Sequence, residues 1–257
     1  MQDQLRYMIL DGELQQWQHL AGAYIYQNIH TLEYQPRHIE HHIEILSSLS
    51  EELFGIEFSL SAEALTQQIA TLLEHMRASR QRSIRVVVKQ YASGSVTIEC
   101  DAPSLYRGYA VRSLRPDAVT MRMDMPLDIY PTSASVMARE VADSIVRNRD
   151  FHTALMMSGD GKIYTEAAEP VAVVQGSKLI IASSPYSVES RLVQQAARKA
   201  EIEVELRGLH HDDIVQADEV LRIGWQGITA MQSVDGKLYM AIVADHIARE
   251  MEKIQTL

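Results

Sequence analysis

Apolar positions along the chain change their period several times, and each change predicts an element. From Pro36 to Leu53 they fall at Ile39, Ile43, Leu46, Leu49 and Leu53, spacings that place all five on one face of a helix. Leu60 to Met76 repeats that period. Ser83 to Lys89 (SIRVVVK) and Val96 to Cys100 (VTIEC) are rich in β-branched residues and flank Ser93-Gly94, which predicts a hairpin. Arg6 to Leu10, ending at Asp11-Gly12, predicts a strand and a tight turn. Leu105 to Leu114 and Val119 to Met123 read as two further strands around the breaker Arg115-Pro116-Asp117.

The second half predicts a helix over Ser133 to Arg147, strands over Thr153 to Met157 and Lys162 to Thr165 around Gly159-Asp160-Gly161, and a hairpin from Val171 to Val174 and Lys178 to Ala182. A helix follows from Ser187 to Ala200, then a strand from Ile202 to Leu206. A short helix near Asp213, two strands around Asp235-Gly236 and a terminal helix from Ala241 to Ile254 complete the chain. Helices and strands intersperse without strict βαβ alternation, and the hairpins imply antiparallel pairing, so the expected class is mixed α and β. The expected division is a smaller N-terminal lobe over 1–116 and a larger C-terminal lobe over 117–257.

Composition narrows the function classes. With 24 Lys plus Arg against 34 Asp plus Glu, the formal charge is −10. That balance disfavours nucleic acid or an anionic membrane as partner and favours a small substrate or a protein. Cys100 is the single cysteine, which leaves no intrachain disulfide and no CxxC zinc site. The polar start MQDQLRYMILDGELQQW does not read as a signal peptide, and no run of 18 apolar residues follows, so the expected location is the cytoplasm.

His38, His41 and His42 share a helical face at metal-ligand spacing, and His210, His211, Asp212 and Asp213 form a second cluster that could complete such a site. A solvated face of His and Glu gives the same pattern, so no metal ligand is assigned. Asp213, three residues before Gln216, reads as the N-cap of the short helix. Cys100 closes a β-rich run and reads as a buried hydrophobe. No GxSxG, HExxH, P-loop or GxGxxG pattern occurs. Glu166 stands at the end of a hairpin strand, where a carboxylate can project into a cleft.

In order, these pieces resemble the fold-type IV enzymes that use pyridoxal phosphate (PLP): branched-chain and D-amino-acid aminotransferases and 4-amino-4-deoxychorismate lyase. HIEILSSLSEEL (His42 to Leu53) is similar to the first-lobe helix HxxRLxxSAxxL. SGDGKIYTEAAEPVAVVQGSKLIIASS (Ser158 to Ser184), SRLVQQAARKAEIEVE (Ser190 to Glu205) and HDDIVQADEVLRIG (His211 to Gly224) resemble successive later segments, and Asp235-Gly236 closes the series. The resemblance implies a two-lobe α/β architecture of the D-amino-acid aminotransferase kind, a cleft between the lobes, a homodimer, and PLP as cofactor.

Carried over position by position, the resemblance matches Glu166 to the carboxylate that holds the pyridine nitrogen protonated and Ser190 to the small hydroxyl residue just before Arg191, both cofactor-binding candidates; Gln226, in the turn where Thr and Ser usually bind the phosphate, is a third, and Arg37, near in sequence, offers a substitute cation. It also implies a Schiff-base lysine near Tyr130 to Ser133. None is there, and none occurs between Lys89 and Lys162. The phosphate-binding Arg falls on Ile45, the usual Thr and Ser after the AdEvF-like strand appear as Gly224-Trp225-Gln226-Gly227, and Pro170 replaces the usual Asn. The expectation is a degenerate member that binds a small anionic metabolite or a partner in the cleft. The rival expectation is a working aminotransferase or lyase with PLP held noncovalently or by a displaced lysine such as Lys89 or Lys162. A third is a metal-dependent protein using the histidines.

Overall fold

The computed structural model describes residues 6–109, 111, 115–125, 127–165, 167–254 and 257. The chain divides into two compact units, Met1–Gly108 and Tyr109–Leu257.

In the N-terminal unit, strands β1 (Tyr7–Leu10), β2 (Glu13–Gln16), β3 (Tyr24–Leu32) and β4 (Gln35–Pro36) precede helices α1 (Ile39–Phe54) and α2 (Ala62–His75). Strands β5 (Ile84–Tyr91) and β6 (Val96–Cys100) follow. Among the described residues these strands form one sheet in the order β2-β1-β6-β5-β3-β4, every neighbour antiparallel. Asp11 and Gly12 both take positive φ, 50° and 87°, the geometry a two-residue hairpin turn needs. Ile45, Leu46 and Leu49 of α1 and Leu65, Ile69 and Leu72 of α2 are buried with Ile25, Ile29, Val86, Val88 and Ile98 of the sheet; of the expected α1 face Ile39, Leu46 and Leu49 are buried, while Ile43 and Leu53 are half-buried and Ile45 joins the core in their place. Strand β3 was absent from the pattern-based expectation. It is buried along nearly its whole length, and its polar Gln27 and His30 face partners instead of water: His42 Nδ1 lies 2.9 Å from Gln27 Oε1, and Ser83 Oγ lies 3.1 Å from His30 Nε2.

The C-terminal unit begins with β7 (Asp117–Arg122), α3 (Ser133–Arg147), β8 (Thr153–Met157), β9 (Lys162–Tyr164), β10 (Val171–Gln175), β11 (Lys178–Ile181) and α4 (Val188–Lys199). Then come β12 (Glu203–Leu206), β13 (Leu209–His210), α5 (His211–Gln216), β14 (Glu219–Gly224), β15 (Gly227–Ala230), β16 (Ser233–Val234), β17 (Lys237–Leu238) and α6 (Ile242–Met251). Among the described residues two sheets result, ordered β12-β11-β10-β14-β15 and β13-β9-β8-β7-β16-β17. Alternation along β10 and β14 builds the layers. Ala172, Val174, Leu221 and Ile223 pack with Leu192, Val193, Ala196, Ala244 and Ile247 of α4 and α6. Val171, Val173 and Val220 face Leu155, Ile163 and Leu209 of the second sheet. Beyond that sheet, Ala142 and Val146 of α3 pack on Ala154 and Met156.

The expected hairpins pair antiparallel, β5 with β6, β8 with β9 and β10 with β11, while other strands pair parallel: β7 with both β8 and β16, and β11 with β12. Helix α3 makes the first of these links a crossover, as parallel strands require. Leu105 to Tyr109 forms bends in place of a strand, while Arg112, Ser113 and Leu114 lie outside the described residues. Asp213 is not the N-cap of α5. His210 takes that place and Asp213 sits three residues on, accepting from the His210 backbone N–H at 2.9 Å and from both terminal nitrogens of Arg207.

Helix α6 has no side-chain cap of its own. The buried carboxylate of Glu219, on β14, supplies one from across the fold, accepting from the backbone N–H groups of Ile242, Val243 and Ala244 at 2.6, 2.7 and 2.9 Å. A carboxylate at a helix N-terminus is favourable, and removing it would strand three donors. Glu219→Ala is expected to cost about 3 kcal/mol, the scale of charge-assisted bonds lost from a buried cap. Chemical denaturation would measure it, and a loss no greater than that of a surface substitution would contradict it.

Candidate functional site

The turn joining β14 to β15 is the point at which the C-terminal unit gathers its buried charges. Arg222, inside β14, sends Nε to within 3.3 Å of Glu169 Oε2. Arg139 of α3 lies 3.9 Å from the same oxygen and donates through Nε to Asp143 Oδ2 at 2.7 Å. Asp143 Oδ1 accepts from Thr153 Oγ1 at 3.0 Å and from Ala154 N–H at 2.9 Å. The side chains of Arg139, Asp143, Glu169 and Arg222 are between 11% and 17% exposed, so two cations and two anions neutralise one another largely out of water. Burial alone would raise the Asp143 carboxyl, yet the Arg139 guanidinium and the bonds from Ala154 and Thr153 hold it below the usual aspartate value.

Gly224 makes room for this arrangement. A Cβ there would stand 2.8 Å from Glu169 Oε1, closer than side chains tolerate. The void left beside the turn, bounded by Glu169, Arg222, Trp225 and Gln226, is about 10 Å³, enough for one water.

Glu189, in the first turn of α4, adds a further carboxyl. It is 3% exposed, and its Oε1 has no hydrogen-bond partner among the described residues. Burial, with a smaller contribution from the nearby Glu169 charge, pushes it up to about 8. At neutral pH it is therefore protonated in the folded chain.

The residues expected at a cofactor site are distributed as follows. Ser190 is buried in α4, and its backbone N–H donates to the capping Ser187 Oγ at 3.2 Å. Gln226 lines the small void. Trp225 is buried in the same turn. Arg37, half-buried, belongs to the N-terminal unit, where its backbone N–H donates to His30. Ile45 is core. Glu166 lies outside the described residues. The window that the resemblance gives to a lysine is occupied by structural groups: Tyr130 stacks on Tyr186 at 5.4 Å, and Thr132 caps α3 in a capping box with Ser135. Lys89 pairs with Glu99 at 2.6 Å and Lys162 with Asp128 at 2.8 Å.

The histidines and the cysteine behave as core groups where they are buried. Burial, with the neighbouring His38 charge, lowers His42 to about 3, and burial and Arg37 lower His38 to about 4. Burial pushes the Cys100 thiol up to about 11, and its Sγ lies 3.2 Å from Met76 Sδ. Among the described residues no group of three or more His, Cys, Asp or Glu is placed to hold a metal ion, and no helix is long and apolar enough to cross a membrane.

Solved structures match this fold over nearly its full length. A branched-chain aminotransferase from Thermoproteus uzoniensis, solved with norvaline, superposes with a TM-score of 0.80 at 15% identity, covering 97% of this chain and 94% of its own. A Legionella pneumophila protein provisionally named a 4-amino-4-deoxychorismate lyase gives 0.76 at 13% identity, over 90% and 91%. The fold is that of the fold-type IV PLP enzymes. A Brucella abortus aminotransferase bound to the cofactor PLP matches this fold-type IV chain at 0.76 and 14% identity, over 96% and 97%. No protein-family model and no curated protein matches the sequence.

The sequence reading missed Arg139, Asp143, Glu169, Glu189 and Arg222. One signal was present, since Arg222 interrupts the apolar run of EVLRIG inside a strand buried on both faces.

Glu189 and His42 make opposite contributions to stability against pH. For Glu189, whose folded value is raised, the contribution is fully present below the ordinary glutamate value and is lost as pH rises through about 8. For His42, whose folded value is depressed, it is present above the ordinary histidine value and lost as pH falls toward about 3. Glu189→Gln is therefore expected to leave stability near pH 5 almost unchanged and to raise the Tm by several degrees at pH 8, as read by thermal melts across pH. A constant difference between variant and parent over that range would contradict the assignment.

Proposed function

We propose that this chain uses the fold-type IV scaffold to bind a small ligand or a partner, without aminotransferase or lyase chemistry through a PLP Schiff base. The observation that carries the reading is the filling of the β14–β15 turn by the protein's own groups. Glu169 occupies the space that Gly224 leaves, Arg222 and Arg139 are already paired to it, and a void of about 10 Å³ remains.

PLP does not fit the residues present. Its phosphate calls for cations and hydrogen-bond donors, whereas the positions that the resemblance assigns to it carry Ile45 and Trp225, both buried, and Ser190, whose N–H the Ser187 cap uses. The buried carboxyl of Glu189 in the same turn of α4, protonated at neutral pH, brings no cation to a dianion. Tyr130 to Ser133 offers no amine, and Thr132 there is committed to capping α3.

The test is an absorbance titration of the purified protein with PLP, followed by borohydride reduction and peptide mass mapping. No saturable change and no single modified lysine are expected. One stoichiometrically trapped lysine, Lys89 or Lys162 included, would overturn the reading in favour of a working enzyme with a displaced base.

The same reading takes the chain as a homodimer. Met137, Val141 and Ile145 lie at i, i+4 and i+8 on one face of α3 and are 61%, 42% and 40% exposed, an apolar stripe that favours a covering partner. Sedimentation equilibrium at micromolar concentration is expected to return twice the 29.0 kDa chain mass, and the single mass would remove the dimer.

A further inference from the structure

The loop from Met76 to Ser83, between α2 and β5, carries charge of the opposite sign to the chain as a whole. It reads MRASRQRS, with Arg77, Arg80 and Arg82 and no acidic residue, in a chain whose formal charge is −10. All three arginines are exposed. The guanidinium groups of Arg77 and Arg82 have no hydrogen-bond or ion-pair partner among the described residues. Arg80 pairs with Glu74 at 3.0 Å, both side chains 61% exposed, a setting in which an ion pair holds weakly. Glu33, beside Tyr34, is taken by Arg107 at 2.5 Å.

Backbone bonds hold this loop at both ends. Arg77 N–H donates to Glu74 O and Ala78 N–H to Leu73 O, both at 3.0 Å, which closes α2. At the far end Ser83 N–H donates to Tyr106 O at 3.1 Å, and Ser83 O and Oγ accept from the N–H groups of Ser104 and Gly108 at 2.8 Å. Between them stands Tyr34, buried at the tip of the β3–β4 hairpin. Its hydroxyl donates to Ala78 O at 2.6 Å, and the Arg80 guanidinium lies over its ring, 4.3 Å from the centroid. The tip puts both Glu33 and Tyr34 at positive φ, 55° and 67°, in a two-residue turn where asparagine and glycine are usual. Other residues take that conformation at a cost, and here it seats the platform under Arg80.

We propose that this loop docks a short acidic segment of a protein partner, whose Asp or Glu side chains pair with Arg77, Arg80 and Arg82. The surface lies within the N-terminal unit and is independent of any ligand bound by the C-terminal unit.

The chemistry of the loop selects this class. Arginine presents a planar fork that meets a carboxylate through two bonds at once, and a backbone already fixed lowers the ordering cost of docking. A nucleic acid calls for aromatic faces to stack its bases or a basic surface long enough to follow its phosphates. Tyr34 is buried with its ring face covered by Arg80, and the rest of the chain is net acidic. An extended polyanion, a membrane surface included, would meet that acidic remainder. A short segment stays within a Debye length of the loop, about 8 Å at physiological salt.

The experiment is fluorescence anisotropy of labelled hexaglutamate titrated with the full chain, beside labelled hexaglutamine and a short single-stranded oligothymidylate. Saturable binding of hexaglutamate is expected, lost at 1 M salt, where the Debye length is about 3 Å. Arg77→Gln and Arg82→Gln remove cations that the fold does not use, so each variant should keep the parent's Tm and weaken hexaglutamate about threefold, the factor of one exposed ion pair. Arg198→Gln, an equal change of charge at an exposed position of α4, should leave binding as it is. Glu74→Gln should tighten binding several-fold by freeing Arg80, and a tighter complex in a variant cannot come from misfolding. No saturable binding of hexaglutamate, equal binding of hexaglutamine, equal weakening by Arg198→Gln, or weaker binding in Glu74→Gln would each overturn the proposal. Tighter binding of the oligothymidylate would overturn it in favour of a nucleic-acid partner.

Discussion

The Glu169 carboxylate is the constraint around which the centre of the C-terminal unit is organised. An unpaired arginine inside a strand with both faces covered would cost several kcal/mol, and Arg222 is tolerated because Glu169 reaches it. Glu169 reaches it because Gly224 has no side chain to stand in the way. Arg139 and Asp143 extend the neutralised group onto α3, and Asp143 binds the first residues of β8, so helix, sheet and turn share one electrostatic balance. Removing any one member would leave a partner charged and dry.

That balance also bears on what the scaffold does. In the fold-type IV arrangement as the sequence resemblance maps it, the turn after the AdEvF-like strand is a position for a bound phosphate, and the start of α4 carries the small hydroxyl residue Ser190. Here the turn presents Trp225 inward, and the helix start carries a buried, protonated Glu189. The negative charge beside the turn is the protein's own Glu169, already paired with Arg222.

Much of the fold was legible along the chain because its signals are local. Amphipathic periods marked α1, α2 and α4, and turn dipeptides marked the hairpins. Strand β3 escaped because Gln27, Asn28 and His30 break its apolar run, and the partners of Gln27 and His30, which are His42 and Ser83, come from distant segments. The buried charges escaped for the same reason. Arg139 and Asp143, four apart on a helix, read as an ordinary surface pair until β8 and Glu169 close over them. Glu189 reads as a helix-dipole carboxylate of a common kind, and its position in the core follows from which face of α4 meets the sheet. Asp213 was seen as a capping residue, but the N-cap was placed there, three positions late, since Asp-x-x-Gln and His-x-x-Asp compete within one short segment.

The capping of α6 by Glu219 has a consequence for the order in which the chain assembles. The cap comes from a central strand, so the helix start is complete only once β14 lies between β10 and β15. Until then α6 is a ten-residue segment of marginal helicity, below the length at which isolated helices persist in water. Its docking is thus a late, non-local event whose nucleus is the sheet, and the carboxylate that waits for it is the group that makes docking of the last helix and completion of the sheet a single cooperative step.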